Sequence, residues 1–439
     1  MPACYRLVLF TTLAAMTPIA SAAADSFLQT SHHNIVDANG HTVHLKGFNL
    51  GGWLVMEPFF SPIAADRDAA RAPIYTDEYS ARRALATRFG ESRERELFNA
   101  YQDAWVTQAD LHRIADAGFN VVRVPLWWGQ FFTLPKDSSG NPSPADFDTA
   151  ALDRLERFVA NARSAGLYVV LDLHGAVGSQ SPAANTGQRS INRYWTDARA
   201  QEMTAWLWNA VAKRFKSNPG VAGYDLLNEP DARASKTEPW TKQDVAAVLQ
   251  AYRSLYNTVR AADSDHIVFI EGTFKTWNWS ALPNPSDEGW QNVVYEFHHY
   301  PIDANGQRII SINAINAKTD AAIADYQAHA NYDVPGFVGE FNPQQTDPEP
   351  WRHAIEQYNQ AGLSWAVWTY KSINGSVGRD YWGWYAVDTW RMRPKLDEDS
   401  FEQIQHKWTA WTTEAHFAPN SGLGINPGTS TRMVKKRTP

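Results

Sequence analysis

Short runs rich in β-branched and aromatic residues recur along the chain, separated by stretches whose apolar positions fall at helical spacing. The runs at 43–50, 120–124, 168–173, 223–227, 266–271, 293–297, 336–339 and 364–368 predict eight strands. Between them, 151–159 and 203–215 carry a helical apolar stripe. Strand and helix alternating in this way imply parallel pairing through right-handed crossovers. Eight such units over this length predict an α/β fold, a closed (β/α)8 TIM barrel with long βα loops. An open doubly wound sheet is the alternative, but no Gly-x-Gly-x-x-Gly turn follows an early strand.

The departures from the repeat carry their own expectations. Residues 28–41 are polar and contain the turn Asp37-Ala38-Asn39-Gly40, which small strands are expected to flank while closing the bottom of the barrel. Two long excursions, 51–105 and 174–200, follow the first and third strands and are read as loops that wall a substrate site. A last helix over 400–412 is expected to pack on the barrel, and the Gly-, Ser-, Asn- and Pro-rich stretch 416–439 to be poorly ordered.

Arg6, an apolar stretch over 7–16 and Ser21-Ala22-Ala23-Ala24 have the order of an export signal. The expected organisation is a signal over 1–24, one barrel domain over 25–415 and a tail over 416–439, in a secreted or periplasmic protein. No later run approaches the roughly 20 apolar residues of a membrane span. The composition, 44% hydrophobic and 20% charged, excludes disorder throughout. A net charge of −7, with no basic run except Lys435-Lys436-Arg437, argues against a nucleic-acid footprint. The sole cysteine, Cys4, lies in the signal, which leaves neither a disulfide framework nor a cysteine metal site. Abundant tryptophan, tyrosine and phenylalanine (19, 17 and 20) favour a carbohydrate partner modestly, because flat apolar faces stack on sugar rings.

Two glutamates stand where candidate strands end: Glu229 in Asn228-Glu229-Pro230 after the fourth, and Glu340 in Gly339-Glu340-Phe341 at the seventh. In a barrel those ends face each other across the top opening, so the two carboxyl groups can flank one glycosidic bond. Retention needs them about 5–5.5 Å apart and inversion about 6.5–9.5 Å, a gap that sequence leaves open. The acid has to keep its proton while the other carboxylate is ionised, so their surroundings have to differ. Asn228 is placed to hold a sugar hydroxyl beside the reacting carbon.

Arg123 is the single cation of an apolar strand and requires a buried partner, with Glu340 preferred. His174, ending another strand, can donate to a sugar hydroxyl or orient a catalytic group. Glu296, His298 and Tyr300 alternate and point the same way, so Tyr300 can donate to Glu340. His298 and His299 are neighbours facing opposite sides, and no cluster completes a metal site, so neither metal nor organic cofactor is expected. Trp368 is expected to floor the pocket, with Trp365 in the core. Trp127, Trp128, Trp277, Trp279, Trp382 and Trp384 are candidates for either pocket wall or core.

The series Gly47-Phe48-Asn49-Leu50-Gly51-Gly52-Trp53-Leu54-Val55-Met56-Glu57-Pro58, Arg123-Val124-Pro125, Asp172-Leu173-His174-Gly175-Ala176-Val177-Gly178-Ser179-Gln180, Asn228-Glu229-Pro230, His298-His299-Tyr300, Gly339-Glu340 and Trp368 resembles glycoside hydrolase family 5. More narrowly it resembles that family's exo-β-1,3-glucanase branch. The resemblance implies a retaining enzyme acting on a β-linked glucan, oligosaccharide or glycoside, with Glu229 as acid/base and Glu340 as nucleophile. It also implies that Arg123, His174, Asn228, His298, Tyr300 and Trp368 line the site and that Glu57 helps to hold a terminal glucosyl unit. The alternatives are an endo-β-glucanase with an open cleft, a transglycosylase and a non-catalytic carbohydrate-binding barrel.

Overall fold

The computed structural model describes residues 26–135, 140–234, 238–272, 279–303, 306–373, 382–387, 392–420 and 423. The expected signal over 1–24, Trp277 and the tail over 424–439 lie outside the described residues.

Eight strands close into a barrel: β1 (Lys46–Asn49), β2 (Val121–Trp127), β3 (Tyr168–Gly175), β4 (Val221–Asp225), β5 (Ile267–Glu271), β6 (Val293–His299), β7 (Gly336–Phe341) and β8 (Ser364–Val367). Every neighbouring pair is parallel, and β8 closes on β1. Each expected run overlaps one of these strands, and the fold is the (β/α)8 barrel that the pattern predicts.

The helices among the described residues include α1 (Glu78–Phe89), α2 (Glu91–Trp105), α3 (Gln108–Asp116), α4 (Thr149–Ser164), α5 (Ala198–Phe215), α6 (Lys242–Ala262), α7 (Ile312–Ala328), α8 (Pro348–Gln360) and α9 (Phe401–Thr409). Several start at a side-chain cap that satisfies otherwise orphaned amides: Asp77, Thr107, Asp148, Asp197, Thr241, Asp347 and Ser400. No helix among the described residues is long and apolar enough to cross a membrane.

Strand parity builds the site. Leu45, Val121, Val170, Ala222, Phe269, Val294, Phe337 and Ala366 form one apolar cluster inside the lower barrel. Two residues further along the same faces the side chains turn polar: Arg123 above Val121, Asp172 and His174 above Val170, Glu271 above Phe269, Glu296 and His298 above Val294. Trp368 follows Ala366 in the same way. The intervening residues, such as Val122, Leu171, Ile270, Tyr295 and Val338, pack outward against the helices.

On β7 this alternation is broken. The register between β6 and β7 shifts after Phe297, so that His298 stands opposite Glu340. The irregularity turns Glu340 rather than its neighbour toward the axis. Gly339 makes it possible, because a Cβ there would overlap the Glu296 carboxyl.

Other parts of the reading are refined. The chain folds back earlier than Asp37-Ala38-Asn39-Gly40: the hairpin pairs Gln29–Ser31 with Asn34–Val36 around His32-His33, while the expected turn is spanned by the single bridge Val36↔Thr42. Leu28 and Ile35 still join the lower barrel cluster, as a bottom plug requires. The last helix packs on α2, with Trp408 against Phe98, and Trp408 Nε1 donates to Pro62 O in the first long loop (2.9 Å). Ala418–Pro419, inside the stretch expected to be poorly ordered, pairs antiparallel with Tyr385–Val387. Its neighbour Asn420 is buried.

Gly339→Ala is expected to lower the unfolding free energy in urea by about 1–3 kcal/mol, the range for overfilling a packed interior. An unchanged unfolding midpoint would contradict the close packing of Glu296 on β7.

Candidate active site

Arg123 is wholly buried and directs its guanidinium into a ring of oxygens. Nη1 donates to Glu340 Oε1 (2.9 Å) and Asn49 Oδ1 (3.1 Å), and Nη2 to Asp225 Oδ2 (2.6 Å) and Asn228 Oδ1 (3.0 Å). Nε donates to Asp225 Oδ2 (3.0 Å). Asp172 and Glu296 complete the shell at 3.1 and 3.3 Å. The expected pairing with Glu340 is present, but three more carboxyl groups share the same cation.

One guanidinium cannot offset that many ionised neighbours out of water, so protons have to remain. Burial pushes Asp172 up to about 7 against the pull of Arg123. Burial likewise raises Asp225, and it raises Glu296 and Glu271 further, with neighbouring carboxylates adding to the effect.

Glu340 also accepts from the Tyr300 hydroxyl through Oε2 (2.6 Å), so donors converge on both of its oxygens. Glu229 lies beyond the end of β4 with φ +42°, a left-handed conformation uncommon for a side chain of this kind. Its Oε1 is 3.0 Å from His298 Nδ1, and its Oε2 accepts from Asn185 Nδ2 (3.0 Å). A Glu229 oxygen, a Glu340 oxygen and a His298 ring nitrogen all lie within 4.8 Å of one another. The two carboxyl groups therefore face one small space with unlike partners, and Glu229 is the more open, at 15% side-chain exposure against 5%.

The remaining candidates surround that space. His174 Nδ1 is 2.8 Å from Asp172 Oδ2, while its buried Nε2 has no partner among the described residues. Its ring stacks on Trp368, with centroids 5.3 Å apart and planes 7° apart. Asn228 spends its oxygen on Arg123 and leaves Nδ2 buried and without a partner among the described residues, as a donor awaiting an acceptor would be. Glu57 is buried, its Oε1 without a partner among the described residues; its carboxyl is held well above the usual range by burial and then by the nearness of Glu340 and Glu229. The Glu57 loop is pinned by Met56 N donating to Glu78 Oε2 (2.7 Å), and Glu78 is itself paired with buried Arg82. Burial pushes His174 down to about 4 and His298 to about 3, so both rings are neutral near pH 7.

Glu229, His298 and Glu340 are also a donor set that a cation can use, but they already have protein partners: His298 Nδ1 lies 3.0 Å from Glu229 Oε1, and Glu340 accepts from Arg123 and Tyr300. His299 faces the other way, as strand alternation requires, and its Nδ1 meets the Tyr358 hydroxyl. Trp365 is core, donating to Asn359 Oδ1 (3.2 Å). So are Trp127, Trp128, Trp279 and Trp384, each buried in the main cluster. Trp382 instead packs against Tyr300, Phe60 and Trp368 beside the site.

The family model for cellulase (glycosyl hydrolase family 5) matches residues 71–374. The chain belongs to glycosyl hydrolase family 5. As a family 5 enzyme it is a glycosidase that hydrolyses O-glycosyl bonds. Probable glucan 1,3-beta-glucosidase A of Aspergillus niger is 31% identical over 384 residues, covering 85% of this chain and 84% of that protein. Beta-xylosidase of Phanerodontia chrysosporium is 26% identical over 371 residues, covering 79% and 71%. Among solved structures, rutinosidase from Aspergillus niger has the same fold, with a TM-score of 0.62 at 18% identity over 82% of this chain and 98% of that one.

The candidate site also holds polar residues that the sequence reading does not single out: Asn49, Asp225, Glu271 and Asn185. Asn49 lies inside the matched Gly47–Pro58 series and Asp225 inside a predicted strand, and parity alone flags neither. Gln180, at the end of a matched series, ties two strand ends together by donating to His174 O (2.9 Å) and Asn228 O (2.8 Å).

Replacing Arg123 by Met strands several buried acids, and unfolding in denaturant is expected to show a loss of about 3–5 kcal/mol. A loss below about 1 kcal/mol, the ceiling for most exposed ion pairs, would contradict the role given to this cation. His299 supplies a pH test. Burial pushes its folded value down to about 3, against about 6.5 unfolded, so the unfolded chain binds the extra proton between those values. Stability is therefore lost as pH falls through that window. The melting-temperature advantage of wild type over His299→Gln should shrink from pH 7 to pH 4, and a constant difference would refute the assignment.

Proposed function

We propose that this enzyme releases terminal glucose from β-glucans or β-glucosides, with retention of configuration, by double displacement. The carrying observation is the close approach of Glu229 and Glu340 with unlike partners. Oxygens of the two groups within 4.8 Å of one another support retention, which needs carboxyl groups about 5–5.5 Å apart, over inversion, which needs about 6.5–9.5 Å. Glu340, held by Arg123 and Tyr300, attacks the anomeric carbon from one face. Glu229, toward the open side, gives its proton to the leaving oxygen. Its carboxylate then takes a proton from water, which attacks the same carbon and frees Glu340.

Neutral His298 and Asn185 accompany Glu229 through both protonation states. Asn228 Nδ2, His174 Nε2 and Glu57 Oε1, without partners among the described residues, supply polar contacts for one sugar ring, with Trp368 as an apolar face. Glu57, buried near Glu340 and Glu229, is placed to hold a terminal sugar, which supports exo action. Likeness to glucan 1,3-beta-glucosidases supports glucose and a β-1,3 linkage. The N-terminal segment supports export to a secreted or periplasmic location.

Timed product analysis on β-1,3-, β-1,4- and β-1,6-glucans is expected to show glucose from β-1,3-glucan at the earliest time point. Early oligosaccharides would instead assign an endo enzyme. Glu340→Gln is expected to cut turnover by more than about 10³-fold, the scale of removing a nucleophile, with a near wild-type melting temperature. Comparable activity in that variant would remove Glu340 from the mechanism.

A further inference from the structure

Glu271 ends β5 with its side chain 4% exposed, and the reaction sketched above gives it no chemical step. Its Oε2 accepts the backbone N–H of Glu229 at 2.6 Å. Its Oε1 is 3.5 Å from His298 Nδ1, the nitrogen that lies 3.0 Å from Glu229 Oε1. Glu271 therefore meets Glu229 twice, directly at the main chain and through a shared histidine at the side chain.

The backbone explains why such a contact is required. Asn228 is still tied to the barrel, its N–H donating to Leu173 O (3.1 Å) and its carbonyl accepting from Gln180 Nε2 (2.8 Å). At Glu229 the chain leaves the ladder with φ +42° and runs into Pro230, which has no N–H to donate. A left-handed φ on a non-glycine residue persists only where its surroundings hold it. The Glu229 amide takes a side-chain acceptor here, and an unpaired buried N–H is costly.

We propose that Glu271 is a positioning residue for the reaction, holding the Glu229 main chain in its left-handed turn so that the carboxyl group meets the leaving oxygen. This rests on the reading of Glu229 as acid/base. Burial, then Glu229, Glu296 and Asp225, hold the Glu271 carboxyl well above the usual range, which favours the neutral form. Glutamine, a neutral isostere that keeps an acceptor oxygen, therefore substitutes for it. Leucine fills the space without an acceptor.

The test is leaving-group dependence, which a loss of folded protein alone does not produce. Aryl β-glucosides from 2,4-dinitrophenyl, which departs without proton donation, to 4-methylphenyl, which needs it, are assayed with wild type, Glu271→Leu, Glu271→Gln and Glu229→Ala. Misplacing the proton donor in Glu271→Leu should lower kcat/KM for the 4-methylphenyl substrate by about 100-fold, the lower end of what general acid catalysis contributes. The 2,4-dinitrophenyl substrate should stay within a few-fold of wild type, and Glu271→Gln should resemble wild type on both. Equal losses on both substrates, no loss on either, or a Glu271→Gln variant as impaired as Glu271→Leu would overturn the proposal. If Glu271→Leu does not fold, as judged by melting, Glu271→Thr is read by the same criteria. Glu229→Ala separates the two claims: without leaving-group dependence in that variant the reading of Glu229 itself fails, whereas dependence there and not in Glu271→Leu rejects only Glu271.

Discussion

Arg123 sets the electrostatic terms for the whole upper barrel. Its guanidinium contacts acidic side chains from β3, β6 and β7 and from the end of β4, and none of these groups has bulk water to dilute its charge. The planar fork is what allows this, since five donors in fixed directions can meet several oxygens at once. A lysine at the same place would offer one compact charge. The arrangement also fixes geometry: Asn49, Asn228 and Glu340 are oriented by bonds to the same group, so the candidate nucleophile and its neighbours form one rigid unit.

That shared cation explains how two glutamates in one small space acquire different characters. Glu340 lies within the reach of Arg123 and Tyr300, and Glu229 lies beyond it, beside histidine and asparagine. The acids beneath them, Asp172, Asp225, Glu271 and Glu296, are driven toward their neutral forms by burial, which limits the negative charge under the reacting carbon. The site's chemistry therefore depends on a proton inventory spread over several strands as well as on the facing pair.

Much of this was legible in the sequence. The eight strands could be read because each is a β-branched or aromatic run between helical stretches, and barrel interiors reward that pattern. The polar residues breaking an apolar run, Arg123, His174, His298 and Glu340, were legible for the same reason: a polar group inside a buried strand needs a purpose. Asp225 and Glu271 fit that description too, but no spacing rule indicates that strands distant in sequence bring them to the same cation or amide. The shift on β7 that turns Glu340 inward was hidden as well, since Gly339 reads as an ordinary strand glycine until the Glu296 carboxyl is seen in its side-chain space. Tryptophan was a poor guide, because large rings fill gaps between helices and barrel as readily as they wall a pocket.

The central claim, that Glu340 and Glu229 act as nucleophile and acid/base across one bond, is tested most directly by the anomeric configuration of the first product. Proton NMR of a β-glucoside hydrolysis, recorded before mutarotation mixes the anomers, reads it in a single experiment. The account predicts that β-glucose appears first and α-glucose only later. Initial release of α-glucose would mean direct attack by water and would contradict the close pairing on which the mechanism rests.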